Sequence, residues 1–380
     1  MRTSSLSYQC TVPGWPLLVL LLALVPQLAA QDPPSGFAEI AADAAAARDV
    51  NDTPRAVQLY TEALQLDPKW QDGWWSLGLL QYGSGAYAPA VDAFSRLIAL
   101  NPSAAEAFAL RGLCEFETGD YAQALDDIRK GRASGDLRDP RQEQILRYHE
   151  AMLLTRLQKF QDALKMYSAF AEHNVSNPEL LIAIGLAGLR MPLLPKEAPA
   201  EQRPLLAAAG QATYKFMQGD ESGARQAFTD LFQRFPDVKN EHYLYGGLLL
   251  AFGPDSAAPQ FKKELEVAQD NQDALTMLAW SLLMDGRSDE ALPYAKRLAQ
   301  AQPELAPAQL ILGRALVDTG DVPAGIEHLE RALKIEPNNL ETHIALAKAY
   351  SKSGRDDESR RERALCLQLS RSNATQLAHP

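Results

Sequence analysis

The residue types able to do chemistry are present in this chain but are nowhere gathered. The six histidines are His149, His173, His242, His328, His343 and His379. No two stand three or four residues apart, so no helix can offer a histidine pair to a metal ion. His328 and His343 could approach from neighbouring elements, and both are expected to be unrelated solvent or edge residues. Cys10, Cys114 and Cys366 are too few for a disulfide framework. Cys114 and Cys366 are expected to be small reduced core residues. Carboxylates cluster at Asp126-Asp127 and at Asp356-Asp357-Glu358. Acid–base work requires such groups buried at a set separation, whereas these fall on second helices or turns where solvated acids belong. There is no phosphate loop, dinucleotide glycine fingerprint, H-E-x-x-H, C-x-x-C or G-x-S-x-G. The chain is therefore expected to have no catalytic residues, no cofactor and no metal.

The elements that would have to position a site are all of one kind. Between Gln71 and Ala104, the residues Trp74, Leu77, Gly78 and Gln81 recur at helical spacing. A break follows at Gly83–Gly85, and then Tyr87, Ala90, Phe94 and Leu97 recur in the same way. Pro102 closes the segment because it cannot continue a helix. This spacing predicts two antiparallel amphipathic helices, with Gly78 and Ala90 small enough to let them approach. The frame recurs, most clearly at Gly119-Asp120-Tyr121 with Ala124, and at Leu312-Gly313 with Gly320-Asp321, Ala332 and Pro337. The Gly-Asp pairs at 119–120, 219–220 and 320–321 are expected to shape turns and not to bind ligands.

The sequence Trp74-x-x-Leu77-Gly78, followed by Ala90-x-x-x-Phe94 and Pro102, resembles the tetratricopeptide repeat, a 34-residue helix–turn–helix unit. The resemblance implies an all-α, right-handed superhelical solenoid of about nine antiparallel units covering residues 37–373. Units one to four occupy 37–177, with about five extra residues, Asp139 to Glu143, between the third and fourth. Units five to nine occupy 205–373, ending in a capping helix before a tail at 374–380. Between the two groups, 178–204 holds a strongly apolar helix and then Pro192, Pro195, Pro199 and Pro204. That stretch is either a degenerate repeat that kept its first helix or a hinge.

Ahead of the repeats, Arg2 precedes an unbroken apolar run from Leu17 to Val25, then Pro26 and Leu28-Ala29-Ala30. This order is that of a secretory signal cut near Ala30, leaving 31–36 as a linker. The run is far shorter than the ~20 residues a spanning helix needs, so no stable membrane span is expected after cleavage. The protein is thus expected to be exported, to a bacterial periplasm or to the cell exterior. Its formal charge of −11, from 37 basic and 48 acidic residues, argues against a general nucleic-acid binder, which needs a clustered basic face.

In the tetratricopeptide family a second stripe on each first helix lines a concave groove that holds extended protein segments. Carried over by the resemblance, the stripe gives Trp75, Leu79, Tyr82, Phe116, Tyr148, Met152, Phe216, Tyr243, Trp280, Arg314, Lys348 and Lys352. It is aromatic and apolar for most of its length and basic at its end. The expected function is that of a non-catalytic adaptor binding a protein or peptide segment. The alternative is a self-associating structural component of an envelope complex.

Overall fold

A computed structural model describes residues 36–133 and 140–377. The expected signal segment, most of the linker, Asp139 and the last three residues lie outside these. All regular structure among the described residues is helical. The chain divides into two compact units at Ala224 and Arg225, inside helix α11 (Glu221–Arg234).

The first unit contains α1 (Phe37–Asp49), α2 (Thr53–Leu66), α3 (Gln71–Gly83), α4 (Tyr87–Leu100), α5 (Ala105–Thr118), α6 (Tyr121–Ala133), α7 (Pro140–Arg156), α8 (Phe160–Glu172), α9 (Pro178–Gly188) and α10 (Arg203–Met217). The second contains α12 (Glu241–Leu249), α13 (Pro254–Val267), α14 (Gln272–Met284), α15 (Ser288–Ala301), α16 (Ala306–Thr319), α17 (Val322–Ile335), α18 (Leu340–Lys352) and α19 (Asp356–Leu377). Within each unit consecutive helices pack as antiparallel hairpins, the arrangement the sequence predicts.

The repeat is written into the backbone. Asn51, Gly85 and Gly119 stand 34 residues apart and all have positive φ, as do Gly286, Gly320 and Gly354. Each ends or follows a first helix, where the chain must turn sharply and a left-handed residue satisfies the last carbonyls. The paired aspartates do what turn chemistry requires. Asp321 accepts from the Ala324 N–H at 3.3 Å and Asp220 from the Gly223 N–H at 2.9 Å, capping the helix that follows. A second recurring bond fixes the entry to the first helix. Trp74 Nε1, Gln309 Nε2 and His343 Nε2 donate to the carbonyls of Pro68, Pro303 and Pro337 at 2.9, 2.8 and 2.9 Å. Each donor lies six residues beyond its proline. Inside the hairpins, a Cβ on Gly78 would fall 2.6 Å from the Phe94 ring, so glycine there sets the distance between α3 and α4.

Three features of the array have physical causes. The first helix of unit one lacks the aromatic signature, yet α1 forms, because its alanines favour helix and Ala44 and Ala47 are buried against the α2 side. Residues 140–143 are not inserted between repeats. They form the first turn of α7, which runs 17 residues where its neighbours run 13 or 14.

The third feature is at 178–204. Helix α9 is buried along almost its whole length, from Leu180 to Gly188, and packs directly on α10. A Cβ on Gly185 would lie 2.0 Å from the Leu206 carbonyl oxygen, and one on Gly210 1.8 Å from that of Leu181. The two helices thus touch backbone to backbone. The proline-rich connection is held down as well. Leu194 and Pro195 are buried. Arg156 donates to the Pro192 carbonyl at 2.8 Å, and Arg203 to that of Pro195 at 3.0 Å. In the structure α9 and α10 form a hairpin with a long proline-shaped loop, and α10 begins at Arg203.

Candidate partner-binding surface

The stripe residues are best located by column, taking equivalent positions 34 residues apart on successive first helices. In the second unit, Trp280, Arg314 and Lys348 form one column on α14, α16 and α18, and Met284, Asp318 and Lys352 form the next. Side chains bridge the columns. The Arg314 guanidinium lies over the Trp280 ring at 4.9 Å from its centroid, and its Nη2 reaches the Met284 sulfur at 3.9 Å. One repeat on, Lys348 donates to Asp318 at 2.6 Å and Lys352 pairs with the same carboxylate at 3.5 Å. Lys352 also donates to the Val317 carbonyl at 3.0 Å. Met284 and Ile344 are each 54% exposed, unusual for side chains of that size. The result is a ladder of apolar and cationic groups across three consecutive first helices. Aromatic and methionine side chains flanked by guanidinium and ammonium groups suit a partner with apolar and acidic residues. The two lysines share one carboxylate, so one positive charge is left over at that end.

The stripe in the first unit differs. Trp75, Leu79, Tyr82 and Tyr148 are half-buried. Trp75 meets the Phe94 ring edge-on at 6.0 Å and Tyr82 meets Tyr87 at 5.9 Å, so each already has a packing role. Burial pushes the Tyr82 hydroxyl up to about 12 and the Tyr148 hydroxyl higher still, which keeps both neutral donors at any physiological pH. Phe116 and Met152 correct the groove assignment. Both are buried in the core, Phe116 against Tyr121 and His149 with ring centroids at 6.1 and 4.9 Å. The Lys196 ammonium covers Phe116 at 5.6 Å, from the loop that follows α9. His149 of α7 and Lys196 of the α9–α10 loop thus lie against the stripe at Phe116, and sequence spacing had no signal for that.

Phe216 on α10 is half-buried. In the second unit, Tyr243 packs on Phe261 at 5.8 Å and is half-buried. Met284, Ile344 and Asp318 belong to the ladder too. The exposure of Met284 and Ile344 could not be read from residue type, although the 34-residue register of Met284 and Asp318 with Lys352 could.

The remaining reactive groups have structural partners. His328 Nδ1 contacts Gln309 Oε1 at 2.7 Å. His343 is buried, contrary to the edge position expected for it, and its Nδ1 meets Glu362 at 2.5 Å. Cys114 is buried as expected, whereas Cys366 is only half-buried. Among the described residues no group of three or more His, Cys, Asp or Glu side chains could hold a metal ion. No described helix is long and apolar enough to cross a membrane.

Stacked antiparallel helical hairpins with a 34-residue backbone period define a helical repeat protein built for surface contact. The chain belongs to the tetratricopeptide-repeat proteins: a tetratricopeptide repeat model matches residues 42–99, 77–136 and 253–306, and a further TPR repeat model matches 313–354. It is 29% identical over 158 residues to cellulose synthase operon protein C of Xanthomonas axonopodis pv. citri (strain 306). That match covers 40% of this chain and about a tenth of the relative's length. Among solved structures, MamA 41-end from Desulfovibrio magneticus RS-1 aligns at 20% identity and a TM-score of 0.41, over 44% of this chain and 96% of that one. A MamA RS-1 ArsTM double mutant aligns at 19% identity and the same TM-score, over 45% of this chain and 97% of that one. Repeat proteins of this family serve protein–protein interaction and scaffolding, and that role is assigned to this chain.

Proposed function

We propose that the protein is a non-catalytic adaptor of the periplasm or cell exterior, holding an extended partner segment along the exposed face of its first helices. The ladder on α14, α16 and α18 carries the proposal, because it combines exposed apolar side chains with cations in register. The bound segment places an apolar side chain near Met284 and Trp280 and an acidic group near Lys348 and Lys352. Export rests on the apolar run from Leu17 to Val25 and the small residues before Gln31. N-terminal sequencing of protein from the envelope or medium tests it: a chain starting near Gln31 supports export, and an intact Met1 overturns it. Binding is tested by affinity capture from the same fraction, wild type against Trp280→Ala with Met284→Ser. Partners lost with unchanged melting support the ladder; partners retained at wild-type level overturn it.

A second reading, a structural component that self-associates, is favoured by a different observation. Both ends of the described array expose helix faces that equivalent helices bury.

A further inference from the structure

In α16 and α18 the third, sixth, seventh and tenth residues are buried. They are Ala308, Ile311, Leu312 and Ala315 in one helix and Thr342, Ala345, Leu346 and Ala349 in the other. In α18 this face closes on the preceding repeat, since Ala345, Leu346 and Ala349 share one buried cluster with Leu310 of α16 and with Leu329 and Ala332 of α17. The same four positions in α1 are Glu39, Ala42, Asp43 and Ala46, and all four are exposed. Among the described residues nothing covers this face of α1, the face with which a first helix docks on its predecessor. That face is acidic and otherwise small.

The receiving surface is also open, at the last hairpin. A groove of about 610 Å³ runs between α18 and α19, and its lining includes Ile344, Leu367, Lys348, Lys352 and Arg363 and no acidic residue. Leu367 is 63% exposed. One repeat earlier the counterpart of Ile344 is Leu310, 4% exposed, and that of Cys366 is Ala332, fully buried. Both are covered there by α18. The groove is thus the seat of a first helix, with basic groups at its rim.

We infer that α1 of a second copy docks in the α18–α19 groove, joining chains head to tail. Glu39 and Asp43 meet Lys348, Lys352 and Arg363, while Ala42 and Ala46 let the helix settle on Ile344 and Leu367. The two faces are different surfaces, so the contact is heterologous and propagates into rings or filaments. Its ionic part makes it salt-sensitive. The inference rests on the self-association reading; its groove shares Ile344, Lys348 and Lys352 with the ladder, whereas Trp280 and Met284 lie outside it, so substitutions at those two separate the readings.

Sedimentation velocity of the purified chain over a concentration series, at low and high salt, tests it. The expected result is an average mass that climbs with concentration and falls with salt. Lys348→Glu with Lys352→Glu, and separately Glu39→Lys with Asp43→Lys, should each lose the associated species. Mixing the two variants should restore it, because a reversed groove then meets a reversed α1. Ile344→Glu changes an exposed side chain, so it should abolish association with unchanged melting; Trp280→Ala with Met284→Ser should leave it intact. A wild-type chain that stays monomeric overturns both the inference and the self-association reading. Association that survives Ile344→Glu, or a variant mixture that fails to associate while each variant melts like wild type, overturns the α1 contact alone.

Discussion

Gly210→Ala is the sharpest probe of the contact that makes α9 and α10 a hairpin. In an exposed helix interior the exchange stabilises, by up to about 1 kcal/mol, because alanine has the better helix propensity. Here the added Cβ would sit 1.8 Å from the Leu181 carbonyl oxygen and 3.1 Å from the Gly185 nitrogen. Those are backbone atoms that cannot swing aside, so α9 has to move away from α10. Overpacking of this kind costs about 1–3 kcal/mol, and contact with backbone belongs at the upper end. Subtracting the propensity gain leaves a net loss of about 2 kcal/mol, or about 4–8 °C in the melting of a domain of this size. Gly247→Ala is the control: it lies in α12, is exposed and has nothing within 4 Å of the added carbon, so it should stabilise. Repeat arrays need not melt as one transition, so amide exchange read within α9 and α10 is the better assay. Faster exchange there is expected in Gly210→Ala and not in Gly247→Ala. A Gly210→Ala protein as stable as wild type, with unchanged exchange in α9, would show that the helices do not touch as described.

Two further outcomes follow from the same structure. Limited proteolysis should spare 192–204 in spite of its four prolines, since Arg156 and Arg203 tie the loop down and Leu194 is buried; preferential cutting there would restore the hinge. Burial, and next the neighbouring Glu264 carboxylate, push the Glu241 carboxyl up from 4.5 to about 8. The folded state then keeps a proton that the unfolded chain has released, so this contribution is full below about pH 4.5 and is lost as pH rises to about 8. Glu241→Gln should flatten that slope in the second unit, measured as melting at both ends of the window; an unchanged slope would remove Glu241 as its source.

The period of the fold was legible because it is carried by residues with few alternatives. A proline must end a helix and a left-handed turn favours glycine, so Pro102, Gly119 and Gly320 mark boundaries whatever surrounds them. The α9–α10 hairpin was not legible for the opposite reason. Gly185 and Gly210 are 25 positions apart and signal nothing locally; only their meeting explains them. The four prolines pointed to a loop, and a loop can be a hinge or a strap depending on whether distant groups such as Arg156 reach it.

The binding stripe shows the same limit at finer scale. Leu310 and Ile344 occupy one column and are nearly the same size, yet one is buried and the other more than half exposed. What separates them is whether the next first helix covers the site. Phe116 is likewise lost to a partner because Tyr121, His149 and Lys196 surround it. A repeat sequence therefore specifies which residues share a column, while the neighbours decide which of them remain available. For this chain that moves the candidate surface away from the aromatic stripe of the first unit. It places it on Trp280, Met284 and Arg314 in the second, where Met284 stays more than half exposed beside the half-buried Trp280 and Arg314 and the charges are only partly matched.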